Sequence, residues 1–259
     1  MHVSNFINVG LAFALFVGVL ICESLGHWRG RRELQRDRDA VKVGTSTIEA
    51  AVLALLGLLL AFDFSAAASR LERRRDHIVQ ESNAIGTAWL RLDLLPASDQ
   101  PVIRNLFRRY TDERIAVVTA LPDVDAALKH HADSVGIQSD IWTKCVESAN
   151  STPSPQASLL LIPALNEMID ITTTRSVAAR VQTPRLITAL IFIVALLSAF
   201  IAGYGMAESQ RVNRIHVAVL AAVVSVTVYV ILDLEQPRLG LIRLDDADRA
   251  MVEVRESMK

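Results

Sequence analysis

The chain has 259 residues, of which 51% are hydrophobic, 5% aromatic and 21% charged, and its formal net charge is −1. This composition excludes a disordered chain, a collagen-like chain and a small disulfide-stapled domain. So large an apolar fraction has to be buried in protein or in lipid.

Four stretches with few or no charged residues hold most of the apolar side chains. A helix needs about 20 apolar residues to cross a hydrocarbon core of roughly 30 Å, and these stretches meet or approach that length. The sequence therefore predicts an all-α membrane protein with four transmembrane helices, at residues 6–22, 48–68, 186–206 and 215–232. The second span contains Glu49 and Asp63, whose polar groups must face something other than lipid.

Between the second and third spans, residues 69–185 carry 14 basic and 14 acidic side chains. This balance argues against a nucleic-acid surface, so no nucleic-acid partner is predicted. No run in this segment has a period of two, and we predict a bundle of helices divided at Pro96, Pro122 and the 151–155 turn. Asp99 and Asp123 are the predicted N-caps of two of these helices.

The spans and the helical segment divide the chain into four predicted parts. These are a transmembrane hairpin at 1–68, the helical region at 69–185, a second transmembrane hairpin at 186–232 and a tail at 233–259. The charged 29–42 segment is predicted to be a solvated connector between the first two spans.

The positive charges near the membrane favour one orientation. Lys and Arg number ten on the side of the helical region and eight on the side of the loops that contain Arg36 and Arg211. Because positive residues are enriched on the cytoplasmic side, this count predicts a cytoplasmic helical region and cytoplasmic termini. Cys145 would then lie in a reducing compartment, and no disulfide with Cys22 is predicted.

Several stretches of the chain carry a resemblance to a known family. They are 56–65 with Arg70 and 73–75, then 81–96, 165–170 and 233–243. Together they resemble a bacterial family of unknown function that is called bestrophin-like. The resemblance implies a protein of the bacterial inner membrane. Its more distant likeness to true bestrophins, in the layout of four spans and a helical cytoplasmic region, implies a pentameric ion channel with lipids and permeant ions as partners. Where that family usually has a small uncharged or hydroxyl residue, this chain has Asp63.

The second span carries a polar stripe. Glu49, Asp63 and Arg70 fall at multiples of seven residues, so they lie along one side of a helix. Copies of this helix around an axis would present carboxylates, apolar collars and arginines in turn along a pore. The predicted pore-lining residues are Glu49, Leu56, Leu60, Asp63, Ala67, Arg70 and Arg74.

The stripe also allows a structural interpretation. Asp63 can pair inside one subunit, either with Arg70 two turns away or through a hydroxyl on another span, as many buried charged groups do. The sequence leaves both interpretations open.

Two further polar groups follow the spans. Glu81, Asn83, Thr87 and Arg91 continue the second helix, and they are predicted either to line a vestibule or to bind neighbouring helices of the bundle. Asp233, Glu235, Arg238 and Arg243 follow the fourth span and are predicted to form a clamp. In it, Arg238 and Arg243 would bind acidic groups such as Glu81, Glu167 or Asp170, and the alternative roles are lipid-headgroup contact or a gate latch.

An enzyme is not indicated. The sequence contains no Gly-x-Ser-x-Gly, Walker A or Cys-x-x-Cys motif. His130 and His131 are adjacent, so on a helix they point about 100° apart and cannot chelate one metal together. We predict no catalytic residue, metal or cofactor.

The leading hypothesis is a homo-oligomeric ion channel lined by the second span, and the alternative is a non-conducting membrane scaffold or sensor whose helical bundle binds a partner.

Overall fold

A computed structural model describes residues 3–36, 45–151, 155–208, 214–238 and 240–259. These residues form eight α-helices and no β-strand, which confirms the all-α class. The helices are α1 (Val3–Leu34), α2 (Thr45–Arg91), α3 (Gln100–Thr119), α4 (Val124–Ser151), α5 (Gln156–Arg180), α6 (Arg185–Gly205), α7 (Arg214–Glu235) and α8 (Asp245–Ser257). Short 3-10 turns follow α2 at Leu92–Leu94 and α6 at Met206–Glu208.

Four helical stretches are long and apolar enough to cross a membrane. They are Phe6–Leu34, Thr47–Leu94, Gln156–Gly205 and Ile215–Glu235, and each contains one of the predicted spans within it or within a residue of its end. At 1.5 Å per residue, the 47 residues of α2 extend about 70 Å, more than twice the thickness of a hydrocarbon core. The second span therefore continues as a helix well outside the apolar layer.

The helix ends confirm one predicted cap and correct the other. The backbone N–H of Ala126 donates to Asp123 Oδ1 at 3.0 Å, so Asp123 caps α4 as predicted. Asp99 precedes α3 but makes no capping hydrogen bond, and its carboxylate instead accepts from the hydroxyls of Ser98 and Ser148. The second residue of α3 is Pro101, which has no N–H for a cap to bind.

The predicted connector at 29–42 is wrong at its start, because α1 stays helical to Leu34. The remainder of that segment from residue 37, the 152–154 part of the predicted turn, and Arg211 lie outside the described residues.

The chain forms two compact units. The span unit comprises Met1–Arg70 and Gln182–Ile242, and the bundle unit comprises Leu71–Val181 and Arg243–Lys259. The chain passes from the span unit to the bundle unit for the last time after Ile242, ten residues beyond the end of the predicted fourth span. The reason is that the Asp233 carboxylate, at the end of α7, accepts the backbone N–H groups of Leu241 and Ile242 at 2.9–3.1 Å.

In the span unit, α1 and α6 approach each other closely at small residues. A Cβ added at Gly26 would lie 2.0 Å from the carbonyl oxygen of Phe200, and one added at Gly203 would lie 2.0 Å from that of Glu23. Small residues allow membrane helices to pack backbone to backbone, which lipid-exposed apolar surface alone does not achieve. The apolar core beside this contact contains Leu15, Val19, Leu56, Ile191, Val194 and Ala221.

The bundle unit has a second apolar core. Phe107, Tyr110, Ile141, Leu161 and Met168 are fully buried in it. Cys145 belongs to the same core, and burial raises the pKa of its thiol to about 12. At that pKa the thiol stays protonated at neutral pH and is a packing group rather than a nucleophile.

Candidate functional site

The seven residues predicted to line a pore lie on one side of α2, and most of them are buried within the chain itself. Asp63 is 8% exposed and Ala67 is 0% exposed, and Leu56 and Arg74 are also buried. Glu49, Leu60 and Arg70 are half-buried. A side chain that lines an axis between subunits is open in the single chain. The burial therefore goes against a pore-lining role for Leu56, Asp63, Ala67 and Arg74.

Asp63 and Arg70 belong to one polar cluster of the span unit. Arg70 donates from Nε to Glu235 Oε1 at 2.9 Å, and its Nη2 contacts both Glu235 and the Thr183 hydroxyl. Thr183 lies 3.3 Å from Asp63 Oδ1 and 2.9 Å from Glu235 Oε1. Since a hydroxyl has a single proton, Thr183 donates to one of these carboxylates at a time. Asp63 thus meets Arg70 through the hydroxyl of Thr183, which lies between α5 and α6.

The remaining charged residues of the stripe contact helix ends. In the span unit, the Glu49 carboxylate lies against Gly205, the last residue of α6. Its Oε2 lies 2.9 Å from the position that a Cβ added at Gly205 would occupy. In the bundle unit, Arg74 donates to the carbonyl oxygens of Val181 at 2.8 Å and Ala178 at 3.4 Å. Cations are favourable at such carbonyls because the C-terminal end of a helix carries partial negative charge. Arg74 therefore fixes the end of α5.

The open side of α2 carries a different stripe. Its members are spaced alternately by four and three residues, and all of them are exposed, Phe62 to 66%. This is the heptad spacing that keeps one side of a helix directed at a common axis. The exposed stripe consists of Ala51, Leu55, Leu58, Phe62, Ser65 and Ser69.

A buried ionic cluster lies at the centre of the bundle unit. Glu81 is fully buried, and Arg114 donates to both of its carboxylate oxygens, at 2.6 and 3.2 Å. Arg175 donates to Glu81 Oε2 at 2.5 Å and lies 3.8 Å from Asp248. Arg114 also donates to His131 Nδ1 at 3.2 Å. The cluster thus joins α2, α3, α4, α5 and α8.

Glu81 therefore has other partners than the predicted ones. The clamp prediction assigned Arg238 or Arg243 to it, whereas Arg114 and Arg175 occupy both of its oxygens. The spacing of residues in α3 could have indicated that Arg114 is paired. Arg114 falls on the buried face of α3 that contains Ile103, Phe107 and Tyr110, and a charge on such a face is tolerated only when it has a partner.

The vestibule candidates have separate environments. Arg91 donates to the carbonyl oxygen of Leu160 of α5 at 2.6 Å. Asn83 is exposed and Thr87 is half-buried. Glu81, at the core of the ionic cluster, does not share a surface with Asn83.

The residues after the fourth span form a turn that leads to α8. Asp233 binds the backbone beyond Pro237, and a Cβ added at Gly240 would lie 1.8 Å from Asp233 Oδ1, so only glycine fits there. Glu235 binds Arg70 instead of joining Asp233. Arg238 is half-buried and Arg243 is exposed.

Comparisons with known proteins agree with this architecture. The family model of the Bestrophin-like domain matches residues 17–248. A crystal structure of a bacterial bestrophin homologue from Klebsiella pneumoniae superposes with a TM-score of 0.64 at 12% identity, covering 95% of this chain and 98% of that chain. A variant of that homologue gives 0.63 at 16% identity, with 95% and 97% covered. No curated protein matches the chain.

The fold is that of a four-span helical membrane protein whose second span continues as a long helix. The chain belongs to the Bestrophin-like domain family, as the match over most of its length shows.

Proposed function

We propose that the protein is a homo-oligomeric ion channel of the bacterial inner membrane and that α2 lines its pore. The observation that carries the proposal is the exposed stripe of α2, which leaves one side of a membrane helix uncovered at heptad spacing. Family membership and the likeness to a bacterial bestrophin homologue support the same function. A pentamer is the arrangement implied by the resemblance to true bestrophins.

The proposed lining differs from the stripe selected by sequence periodicity. Leu55, Leu58 and Phe62 would form an apolar constriction, and Ser65 and Ser69 would follow it as a hydroxyl-lined section. Apolar constrictions gate ion flow by dewetting, because a narrow apolar tube holds no continuous water column. The charged residues of the buried side would then support the lining helix from behind rather than contact ions.

Widening the constriction should increase ion flux. In reconstituted vesicles, we expect Phe62→Ala to raise the rate of ion efflux several-fold over the wild-type chain, because a wider apolar section hydrates more readily. Leu197→Ala is the matched control, since Leu197 is an exposed apolar residue of α6. Its flux should equal that of the wild type.

The same preparations separate the channel from the scaffold or sensor. Sizing in detergent should give an oligomer, and a monomer with no ion flux from any variant would favour the scaffold, since a single chain has no axis to line. Equal increases from Phe62→Ala and Leu197→Ala would contradict the assignment of the exposed α2 face to the pore.

We also propose that the bundle unit lies in the cytoplasm, on the ten-to-eight count of positive charges. Cys145 is too deeply buried to report this orientation. In a Cys22→Ser background, Lys129→Cys should be labelled in intact cells by a membrane-permeant maleimide only, since Lys129 is an exposed residue of α4. Arg36→Cys, exposed after α1, should be labelled by an impermeant maleimide as well. Labelling of Lys129→Cys but not of Arg36→Cys by the impermeant maleimide would show the opposite topology.

A further inference from the structure

A cleft of about 620 Å³ lies between α4 and α5 in the bundle unit. Its size falls in the range of small-molecule sites, which are roughly 300–1,000 Å³. Its lining includes His131, Gln138 and Trp142 from α4 and Thr173, Ser176 and Arg180 from α5. None of them belongs to the proposed pore.

Gln138 contributes an amide to the cleft wall. The residue is only 8% exposed, and its amide, which makes no hydrogen bond to any residue that the structure describes, is open to solvent in the cleft. An amide has two N–H donors and a carbonyl acceptor, which water occupies when the cleft is empty. A ligand in the cleft would replace this water with its own acceptor.

His131 presents a second donor to the cleft. Arg114 can only donate, so its contact with His131 Nδ1 requires Nδ1 to be the acceptor and places the proton on Nε2. Burial lowers the pKa of His131, and the positive charges of Arg114 and Arg180 lower it further. The imidazole is therefore neutral at physiological pH and donates through Nε2.

Arg180 supplies the charge of the cleft. It is exposed at the end of α5, and no ion pair or hydrogen bond links it to another described residue. It is the one formally charged side chain among the cleft-lining residues, because no carboxylate is present there and His131 is neutral. Val135, Trp142, Ile169 and Val177 provide apolar walls.

We infer that this cleft binds a small organic monoanion that joins a carboxylate to a flat apolar body. The carboxylate meets Arg180, whose planar fork matches carboxylate geometry. The amide of Gln138 and the Nε2–H of His131 donate to the remaining acceptors, and the apolar body lies against Trp142. The inference is independent of ion conduction, since all of these residues belong to the bundle unit.

Calorimetric titration of the full-length chain in detergent tests the inference. The probe is indole-3-acetate, and the controls are its neutral amide and acetate, each corrected for titration into empty micelles. We expect saturable binding of indole-3-acetate at one site per chain. Neither the amide, which lacks the charge, nor acetate, which lacks the apolar body, should bind at the same concentrations.

Two variants locate the binding. Arg180→Gln and Gln138→Leu should each weaken the affinity for indole-3-acetate about tenfold or more, the effect of losing a hydrogen bond to a charged group. Arg109→Gln, an exposed arginine of α3 outside the cleft, should leave the affinity unchanged. Absence of saturable binding, equal binding of the amide, or affinities insensitive to both cleft variants would overturn the inference.

Discussion

Glu81→Gln should destabilise the bundle unit by about 3–5 kcal/mol, the typical loss when a buried charge loses its partner. One carboxylate serves two cations here, the buried Arg114 and the half-buried Arg175. The substitution keeps the shape of the side chain and removes only its charge, so Arg114 loses its carboxylate and Arg175 is left with Asp248 at 3.8 Å. For a unit of this size, thermal unfolding followed by circular dichroism should show a midpoint lower by about 10 °C.

The position of Glu81 between two arginines predicts an order among variants. Arg114→Leu should destabilise less than Glu81→Gln, because Glu81 keeps Arg175 as a partner. Glu147→Gln is the control for a general effect of losing a carboxylate, since it removes an exposed partner of Lys144 and such surface pairs contribute about 0–1 kcal/mol. Equal losses from Glu81→Gln and Glu147→Gln would show that the buried cluster does not stabilise the unit.

The architecture could be predicted from the sequence because its signals are local. The length of each apolar run fixes the number of spans, and Pro96 marks the end of a helix that would otherwise continue. Asp99 shows where a local rule fails. Asp is a common N-cap, yet Pro101 removes one of the N–H groups that such a cap binds, and the carboxylate binds Ser148 from another helix instead.

The ionic cluster of the bundle could not be fully predicted because its partners are distant in the chain. Periodicity identifies Arg114 as a charge on an apolar face, and Arg175 likewise follows Leu161, Met168 and Thr172 on the buried face of α5. Pairing either one with Glu81 requires knowledge of which helix faces which. Arg238 and Arg243 follow the fourth span closely, as Glu81 follows the second, but such nearness to a span does not show which residues are in contact.

Periodicity has a similar limit in α2. The seven-residue spacing of Glu49, Asp63 and Arg70 correctly places them on one side of the helix. A spacing rule distinguishes the sides of a helix without stating what each side faces. Only the packed structure shows that Asp63 is directed at Thr183 of its own chain and that Phe62 is left open.

The polar cluster of the span unit is centred on a cation, whereas the bundle cluster is centred on the anion Glu81. Here Arg70 binds Glu235 directly and meets Asp63 through the hydroxyl of Thr183. The side chains of Arg70 and Glu235 are largely buried, at 15% and 9% exposure. Loss of the shared cation should therefore cost more than loss of either carboxylate.

Arg70→Met should destabilise the span unit by about 3–5 kcal/mol, because it places two carboxylates in one buried site without their common counter-ion.

Asp63→Asn should cost about 1 kcal/mol or less, since Arg70 keeps Glu235 and the new amide still accepts a hydrogen bond from Thr183. It should also leave the ion selectivity of reconstituted protein unchanged, because Asp63 faces its own chain. Thermal unfolding and selectivity measured on both variants check this order. A shift in selectivity with intact stability in Asp63→Asn would return Asp63 to the pore lining.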